Sequence, residues 1–517
     1  MLIKNKYTWL KSSSAQAVFA GALMPLGFAP VHLPGCALIG IMLLFNLLHT
    51  QSIKKAWYCG ILFGCAFMGI GISWIYVSVH TFGRVHPIFA ILITATFIIY
   101  VSGFFGLMTL GYRLLARPGR WLFNCFLFSA LWCLSEWLRA NYLGGFPWLL
   151  LGFGQIDTPL TGLLPVIGVL GIGFIACLAA SLFATGIYLK PKRNLFILYA
   201  VGLILMPGLL QSIKWTHLSK ESISVAVIQA NLSMHDKWDE TVFWKLLHRY
   251  QTAINAQLGK SQLIVLPESA IPVPIDYLND VIENLGLHAA HANSAILLGI
   301  PQTNSGHTGE YLNTMFATGT AHGTYAKKQL VPFGEFIPKP FQSIMHWLNL
   351  PTNSMVPGQL SQTPIQVQEH QIASLICYEL AYPLHLREQL PQAEWVVSIS
   401  DDGWFGHSLA VYQHQQIAQA LSIMTGRYQI MANNDGLSSI ISDKGQIIDS
   451  LPAFHAGILR SSLQPAHGRT PWVYTGDIPI LSLSVSLFFL ACWRAFRQMY
   501  QQRFKDFWRP RNQVATS

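Results

Sequence analysis

The chain of 517 residues is 52% hydrophobic and only 11% charged, with a formal net charge of +10. Too few charges are present to coat a soluble globule of this size, so the composition excludes an ordinary water-soluble protein and marks a membrane protein. All of the eight cysteines except Cys377 lie in long apolar segments, where a free thiol packs as a small hydrophobe, which argues against a disulfide-stapled scaffold.

Eight apolar stretches approach the roughly 20 residues that a helix needs to cross a bilayer. They cover residues 14–30, 33–49, 57–79, 88–112, 121–138, 160–189, 195–212 and 478–493. The small-residue run Ala20, Gly21 and Ala22 falls inside the first stretch, so that stretch is expected to be a retained anchor, not a cleaved leader. Basic residues then alternate from loop to loop. Lys4, Lys6 and Lys11 precede the first span, Lys54 and Lys55 follow the second, Arg113, Arg117 and Arg120 the fourth, and Lys190, Lys192 and Arg193 the sixth. The tail beyond the last span is basic too, whereas the intervening loops carry little beyond Arg84 and Arg139. By the positive-inside rule both termini are cytoplasmic. Three regions are therefore expected: seven transmembrane helices in 1–212, an extracytoplasmic domain in 213–476, and an eighth helix with a basic cytoplasmic tail in 477–517. The net charge then reflects topology and anionic headgroups and requires no nucleic acid.

Within 213–476, β-rich runs at 222–230, 261–269, 294–300, 313–319, 371–379 and 394–400 alternate with helix-like stretches at 239–258, 276–292 and 409–426. Such alternation predicts a covered α/β sheet, in which functional side chains gather where strands end. Glu268 closes LIVLPE, Cys377 closes SLIC, and Lys327 lies in TYAKKQLVPFGEF. Cys377 is an unpaired thiol in a domain expected to face an oxidising compartment. A thiol near pKa ~8.5 attacks carbonyl carbon only after losing its proton, which a carboxylate can take, and a buried ammonium can stabilise both the thiolate and the oxyanion that follows. Neither a G-x-S-x-G elbow nor an H-E-x-x-H or H-x-x-E-H metal motif is present, and no cofactor is expected.

Glu268 in LPES, Lys327 in YAKKQLVPFGE and Cys377 in ICYE resemble, in chain order, the Glu-Lys-Cys triad of the nitrilase (carbon-nitrogen hydrolase) superfamily. The LVPFGE and CYE strings, EWLR at 136–139, GGFPW at 144–148 and the IQANLSMHDKW segment are similar to its integral membrane branch, the bacterial apolipoprotein N-acyltransferase family. The resemblance implies an αββα sandwich inserted before the last of eight transmembrane helices, in the bacterial inner membrane with the catalytic domain facing the periplasm. It implies Cys377 as nucleophile, Glu268 as general base and Lys327 as stabilising ammonium, with Glu335 in support, and Trp238, Tyr378 and Glu379 at positions the family needs. The spacing Y-x-K-x-x-L selects Lys327 over Lys328, which strand alternation turns to the opposite face. The implied reaction passes an acyl chain from a phosphatidylethanolamine-like phospholipid through a Cys377 thioester to the α-amine of a diacylglyceryl-modified apolipoprotein. Two positions depart from the family pattern: Asp401 replaces the Asn of S-N-D-x-W-F, and Asp435 the second Asn of T-N-N-G.

A membrane-tethered amidase or nitrilase, with water as acceptor, is the alternative on the same triad. A transporter or receptor would place ionisable residues within its spans, and only Glu136, beside Arg139 near a span end, stands out. The apolar segment 340–358 reads as a lid touching lipid, or else as a core helix.

Overall fold

The computed structural model describes residues 12–189, 192–233, 237, 240–304, 309–337, 342, 355–390 and 392–507. In its membrane half, α1 (Ser13–Leu23), α2 (Pro34–Thr50), α3 (Ile53–Gly71), α4 (Pro87–Leu115), α5 (Trp121–Asn141), α6 (Leu164–Tyr188) and α7 (Arg193–Leu205) pack on a shared apolar core. Among the described residues six helices are long and apolar enough to cross a bilayer, namely Ile53–Gly71, Pro87–Leu115, Trp121–Gly144, Pro159–Ile187, Arg193–Ser212 and Ile478–Gln501. α2 is apolar but has 17 residues, and α1 has 11, because Pro25 sits in the 3-10 turn Met24–Gly27 that follows it. Among the described residues six of the eight expected spans thus meet the length of a crossing, and α1 and α2 are helices that fall short of it.

Among the described residues the polar half is built on two large sheets, with two short strands forming a separate antiparallel pair. Its strands are β1 (Thr216–Leu218), β2 (Ile223–Gln229), β3 (Leu263–Val265), β4 (Ala295–Thr303), β5 (Tyr311–Gly319), β6 (Ala321–His322), β7 (Thr324–Ala326), β8 (Ile365–Val367), β9 (His370–Ile376), β10 (Trp395–Ser400), β11 (Gln429–Asn433), β12 (Ser438–Ile441), β13 (Ile447–Leu451), β14 (Gly457–Leu463) and β15 (Ala466–Gly468). β1 pairs with β15; one large sheet runs β14-β2-β3-β4-β5-β7 and the other β13-β12-β11-β10-β9-β8-β6. Each has a parallel centre, β2-β3-β4 in the first and β9-β10-β11 in the second.

Strand alternation sorts the side chains into layers. Val225, Val227, Leu263 and Leu297 meet Ile376, Val397 and Ile430 between the sheets. Their neighbours Ala226, Ile264 and Ile296 face outward onto α8 (Phe243–Asn255) and α9 (Asn279–His291), whose Leu247, Ile254 and Ile282 complete that layer. On the other sheet Ala373, Leu375 and Met431 face α10 (Ala410–Thr425). The order is thus helix, sheet, sheet, helix, as an αββα sandwich requires.

α10 is buried on almost every side, since its outer face rests on the membrane helices. Its polar residues are paired across that junction. Gln413 accepts from Trp148 Nε1 at 2.6 Å and donates to the Gly71 carbonyl at 3.0 Å, and Gln416 accepts the Ala29 N–H at 3.1 Å. Pairing of this kind offsets the desolvation of amides in an apolar layer, at both ends of Gln413 but only at Oε1 of Gln416, whose Nε2 has no partner among the described residues. The final helix, α11 (Ile478–Phe507), returns alongside α5.

Candidate active site

Chain direction brings the carboxyl ends of the central parallel strands of both sheets to one edge of the sandwich. β9 ends at Ile376, and Cys377 follows in a 3-10 turn with φ of +53°. Left-handed backbone is unusual for a side chain other than glycine, asparagine or aspartate, and marks an over-determined elbow. Cys377 is buried just past the end of β9, beside parallel β10, whose last residue Ser400 donates its hydroxyl to Asp402 Oδ1 at 2.8 Å.

Glu268 comes from the opposite sheet, three residues past β3. The chain there folds back so tightly over β4 that a Cβ on Gly299 would stand 2.6 Å from the Glu268 Cα and 2.4 Å from the Pro267 carbonyl oxygen. Only a residue without a side chain fits beneath the turn. Glu268 Oε1 accepts from Asn313 Nδ2 at 2.7 Å and Lys327 Nζ at 3.2 Å, and its Oε2 accepts the Asp401 N–H at 3.1 Å.

Lys327 follows β7, held by its own N–H to the Asn313 carbonyl at 2.8 Å. Its ammonium donates to Glu335 Oε1 at 2.8 Å as well as to Glu268. Asn313 Nδ2 also reaches Glu335 Oε1, at 3.0 Å, and Glu335 Oε2 accepts the Val331 N–H at 2.8 Å. Lys328 turns the other way, to Glu388 Oε2 at 3.1 Å, as expected from alternation.

The electrostatics assign a protonation state to each group. Burial opposes charge on Glu268, yet Lys327, Asn313 and Lys237 hold its carboxyl below the usual value. Burial likewise opposes charge on Lys327, but Glu268 and Glu335 raise it well above the ordinary lysine value. The Cys377 thiol is pushed well up by burial and by the Glu268 charge, against the pull of Lys327. The resting site is therefore a neutral thiol beside a carboxylate–ammonium pair, and a nucleophile forms only as its proton leaves.

Glu379 is fully buried and accepts the N–H groups of Lys328, Gln329 and Ile376 at 2.6, 3.2 and 2.8 Å, together with the Tyr325 hydroxyl. Tyr378 donates to the Gly145 carbonyl at 3.1 Å and Tyr382 to that of Gly144 at 2.9 Å. The same GGFPW loop is gripped from the membrane side by Arg139 Nη1, at 2.8 Å from the Phe146 carbonyl oxygen and 2.6 Å from that of Trp148. Glu136 caps the loop's continuation through the Leu151 N–H at 2.8 Å. EWLR and GGFPW are thus the mount that fixes the elbow to the membrane helices.

Of the seven expected site residues, Glu268, Lys327 and Glu335 are joined by hydrogen bonds, Cys377 lies close enough to feel the charges of Glu268 and Lys327, Glu379 holds the backbone on either side of them, and Tyr378 faces the mount. Trp238 lies outside the described residues, as do 340, 341 and 343–354 of the expected lid. Asn313, Lys237, Asp402 and His414 were not singled out in the sequence. His414 Nδ1 meets Asp402 Oδ1 at 2.9 Å and its Nε2 the Cys377 carbonyl oxygen at 3.3 Å. Burial works against its charge, but Asp402 raises its pKa, in keeping with a ring that faces an oxygen at both nitrogens. Asp401 pairs with Lys237, whose ammonium also donates to the Glu268 carbonyl at 2.9 Å. Among the described residues no group of three or more His, Cys, Asp and Glu side chains is arranged to hold a metal ion.

Comparison with known proteins gives two family matches: the apolipoprotein N-acyltransferase N-terminal domain over residues 20–182, and carbon-nitrogen hydrolase over residues 224–470. The apolipoprotein N-acyltransferase of Coxiella burnetii is 34% identical over 488 residues, covering 92% of this chain and 100% of that relative. That of Nitrosomonas europaea is 35% identical over 489 residues, covering 92% and 96%. A solved carbon-nitrogen hydrolase from Helicobacter pylori G27 aligns at 15% identity with a TM-score of 0.38, covering 56% of this chain and 99% of its own.

Proposed function

The chain belongs to the apolipoprotein N-acyltransferase family, and from that membership and the pocket geometry we propose a two-step acyl transfer from a phospholipid to a lipoprotein amine. In the first step Glu268 takes the Cys377 proton as Sγ attacks an ester carbonyl of the donor. The oxyanion that forms is stabilised by the Lys327 ammonium. Collapse breaks the ester bond, leaves the acyl chain as a thioester on Cys377, and expels a lysophospholipid alkoxide that takes the proton held on Glu268. In the second step the free α-amine of a diacylglyceryl-modified N-terminal cysteine attacks the thioester, Glu268 accepts the amine proton, and the departing thiolate takes it back. The amide product and the resting thiol result.

The observation that carries this reading is the shared contact of Lys327 with Glu268 and Glu335, in a site whose Cys377 elbow is tied to the membrane half through Tyr378 and the Gly145 carbonyl. Both substrates carry acyl chains whose removal from the bilayer would cost about 0.8 kcal/mol per CH2. A site built against the membrane half avoids that cost.

The reading places the polar domain on the periplasmic side of the bacterial inner membrane and both termini in the cytoplasm. In support, the membrane loops that touch the domain, at Gly71, Ser78 and 144–148, are poor in Lys and Arg. The basic loops meet one another instead: Arg113 Nε donates to the Gln51 carbonyl at 2.6 Å, and Arg117 pairs with Gln498 of α11.

The test is to incubate the full chain with phospholipid radiolabelled in its acyl chains, isolate the labelled protein, and then add acceptor. Label is expected on Cys377, discharged by a diacylglyceryl-cysteinyl peptide faster than by water. Discharge by water at the same rate would make the protein a hydrolase, and Cys377→Ala protein that still turns over would end the thioester route.

A further inference from the structure

Beside the pocket, a cleft of about 470 Å³ opens between the catalytic domain and the membrane half. It is lined by Asp435, Asn231, Gly403, His407, Phe454 and, from the membrane side, Phe82. Its walls are built features. The His407 ring stacks on Phe454 with centroids 3.7 Å apart, the Phe454 N–H donates to the Asp435 carbonyl at 2.8 Å, and Asn231 Nδ2 donates to the Phe454 carbonyl at 2.9 Å. Phe82 closes a π-helical turn, Ser78–Phe82, which is pinned to the domain by the Ser78 hydroxyl on the Trp404 carbonyl at 2.7 Å. Such turns recur at functional sites.

Asp435 is only 7% exposed, and its Oδ1 has no hydrogen-bond partner among the described residues. Other carboxylates around the site are answered: Glu268 and Glu335 share Lys327, Asp401 has Lys237, Asp402 has His414, and Glu379 has three backbone N–H groups and the Tyr325 hydroxyl. Asp435 makes no ion pair among the described residues, feels Lys237 only at a distance, and leaves Oδ1 unpaired, and a buried acceptor left unpaired is costly. Burial, with Asp401 and then Asp402 nearby, pushes its carboxyl up to about 8, so a cation arriving in the cleft would restore its charge. Two aromatic rings, Phe82 and Phe454, line the same space, and aromatic rings attract ammonium groups.

We propose that this cleft receives a primary ammonium group of one of the two substrates, either the ethanolamine headgroup of the phospholipid donor or the N-terminal amine of the lipoprotein acceptor, with Asp435 as its counter-charge. The inference rests on the acyl-transfer reading for what the substrates are. It makes Asp435 a determinant of substrate selection: where the family pattern has an amide, this chain offers a charge.

The test measures equilibrium binding to the full chain in detergent, in the Cys377→Ala background so that no ligand is consumed. The probes are short-chain phosphatidylethanolamine, short-chain phosphatidylglycerol and a diacylglyceryl-cysteinyl peptide. If the headgroup occupies the cleft, Asp435→Asn weakens phosphatidylethanolamine by about tenfold or more and leaves phosphatidylglycerol and the peptide unchanged. If the acceptor amine occupies it, the peptide alone weakens by that factor. N-acetylated phosphatidylethanolamine and N-acetylated peptide, offered to protein with Asp435 intact, should reproduce whichever loss is seen, so the result does not depend on the variant folding well. Amine-bearing and capped ligands binding within about twofold of each other, with Asp435→Asn equally indifferent, would overturn the proposal. Labelling of Cys377 by phosphatidylglycerol, followed separately in chains that keep the thiol, reports on the acyl-transfer reading alone.

Discussion

Glu379 Oε1 accepts the backbone N–H of Lys328 at 2.6 Å, while its Oε2 accepts that of Ile376 at 2.8 Å. One buried carboxylate thereby fastens the segment that presents Lys327, on one sheet, to the elbow that presents Cys377, on the other. Glu379→Gln turns one acceptor into an NH2 group facing backbone donors. Thioester formation should fall by roughly tenfold to a hundredfold, with a lower thermal midpoint, as read by single-turnover labelling and by melting. Unchanged labelling would mean that the two sheets hold the pocket without this clamp.

The paired lysines separate by what each ammonium touches. Lys327→Met removes the partner of both Glu268 and Glu335, and Glu268→Gln keeps shape while removing the base. Each should slow labelling of Cys377 by a factor on the order of 10² or more, with phospholipid still bound. Lys328→Met loses a contact only to the exposed Glu388 and should cost little. An inactive Lys328 variant beside an active Lys327 variant would exchange their roles.

The pH dependence follows from the directions of the shifts. Glu268 is held below the usual 4.5, so the base stays ionised through neutrality, and the rate should fall only as acid protonates it below that value. The Cys377 thiol lies above the usual 9.0 and Lys327 above 10.5, so neither titrates between pH 6 and pH 8. At saturating donor, single-turnover acylation should therefore be flat across that window, and any slope from Asp435, whose carboxyl is pushed up to about 8, should appear in donor binding. A tenfold rise per unit would reveal a pre-formed thiolate and remove the need for Glu268.

Gly299 touches no substrate in the proposed mechanism, yet Gly299→Ala should act on Glu268, since the new methyl group would collide with the turn that carries it. Overpacking of this kind costs about 1–3 kcal/mol. Loss of activity together with a lowered melting temperature is expected, and wild-type values for both would show that the turn can retreat.

Topology is testable by accessibility. Single cysteines near residues 220 and 460 should react with a membrane-impermeant thiol reagent from the periplasmic side, and one in the 113–120 loop should not. The opposite pattern would invert the orientation.

The runs SVAVIQ and LIV were legible as strands because both faces are buried and β-branched residues fill both. The elbow was legible because a lone thiol ended such a run. What stayed hidden depends on partners far away in sequence. β14, whose Arg460, Ser461 and Ser462 hide its strand character, pairs with β2 more than 200 residues earlier. Asn313 and His414 sit within ordinary-looking elements and become part of the site only when the sheets meet. Hydropathy carried the first apolar stretch on to residue 30, whereas α1 ends at Leu23 and Pro25 sits in the 3-10 turn that follows.

α10 lies between a sheet and the membrane helices with hardly a residue left for water. In a free-standing enzyme the same helix would be an outer wall, and its apolar face would need rewriting in polar residues. Excising residues 213–476 would leave Ile417, Leu421 and Met424 beneath a surface stripped of its cover, and would leave Gln413 and Gln416 without the backbone groups they now satisfy. The two halves thus share a single layer of wall, so a lineage that adopted this arrangement could not readily shed its anchor, and any attempt to produce the catalytic half alone must first redesign that helix.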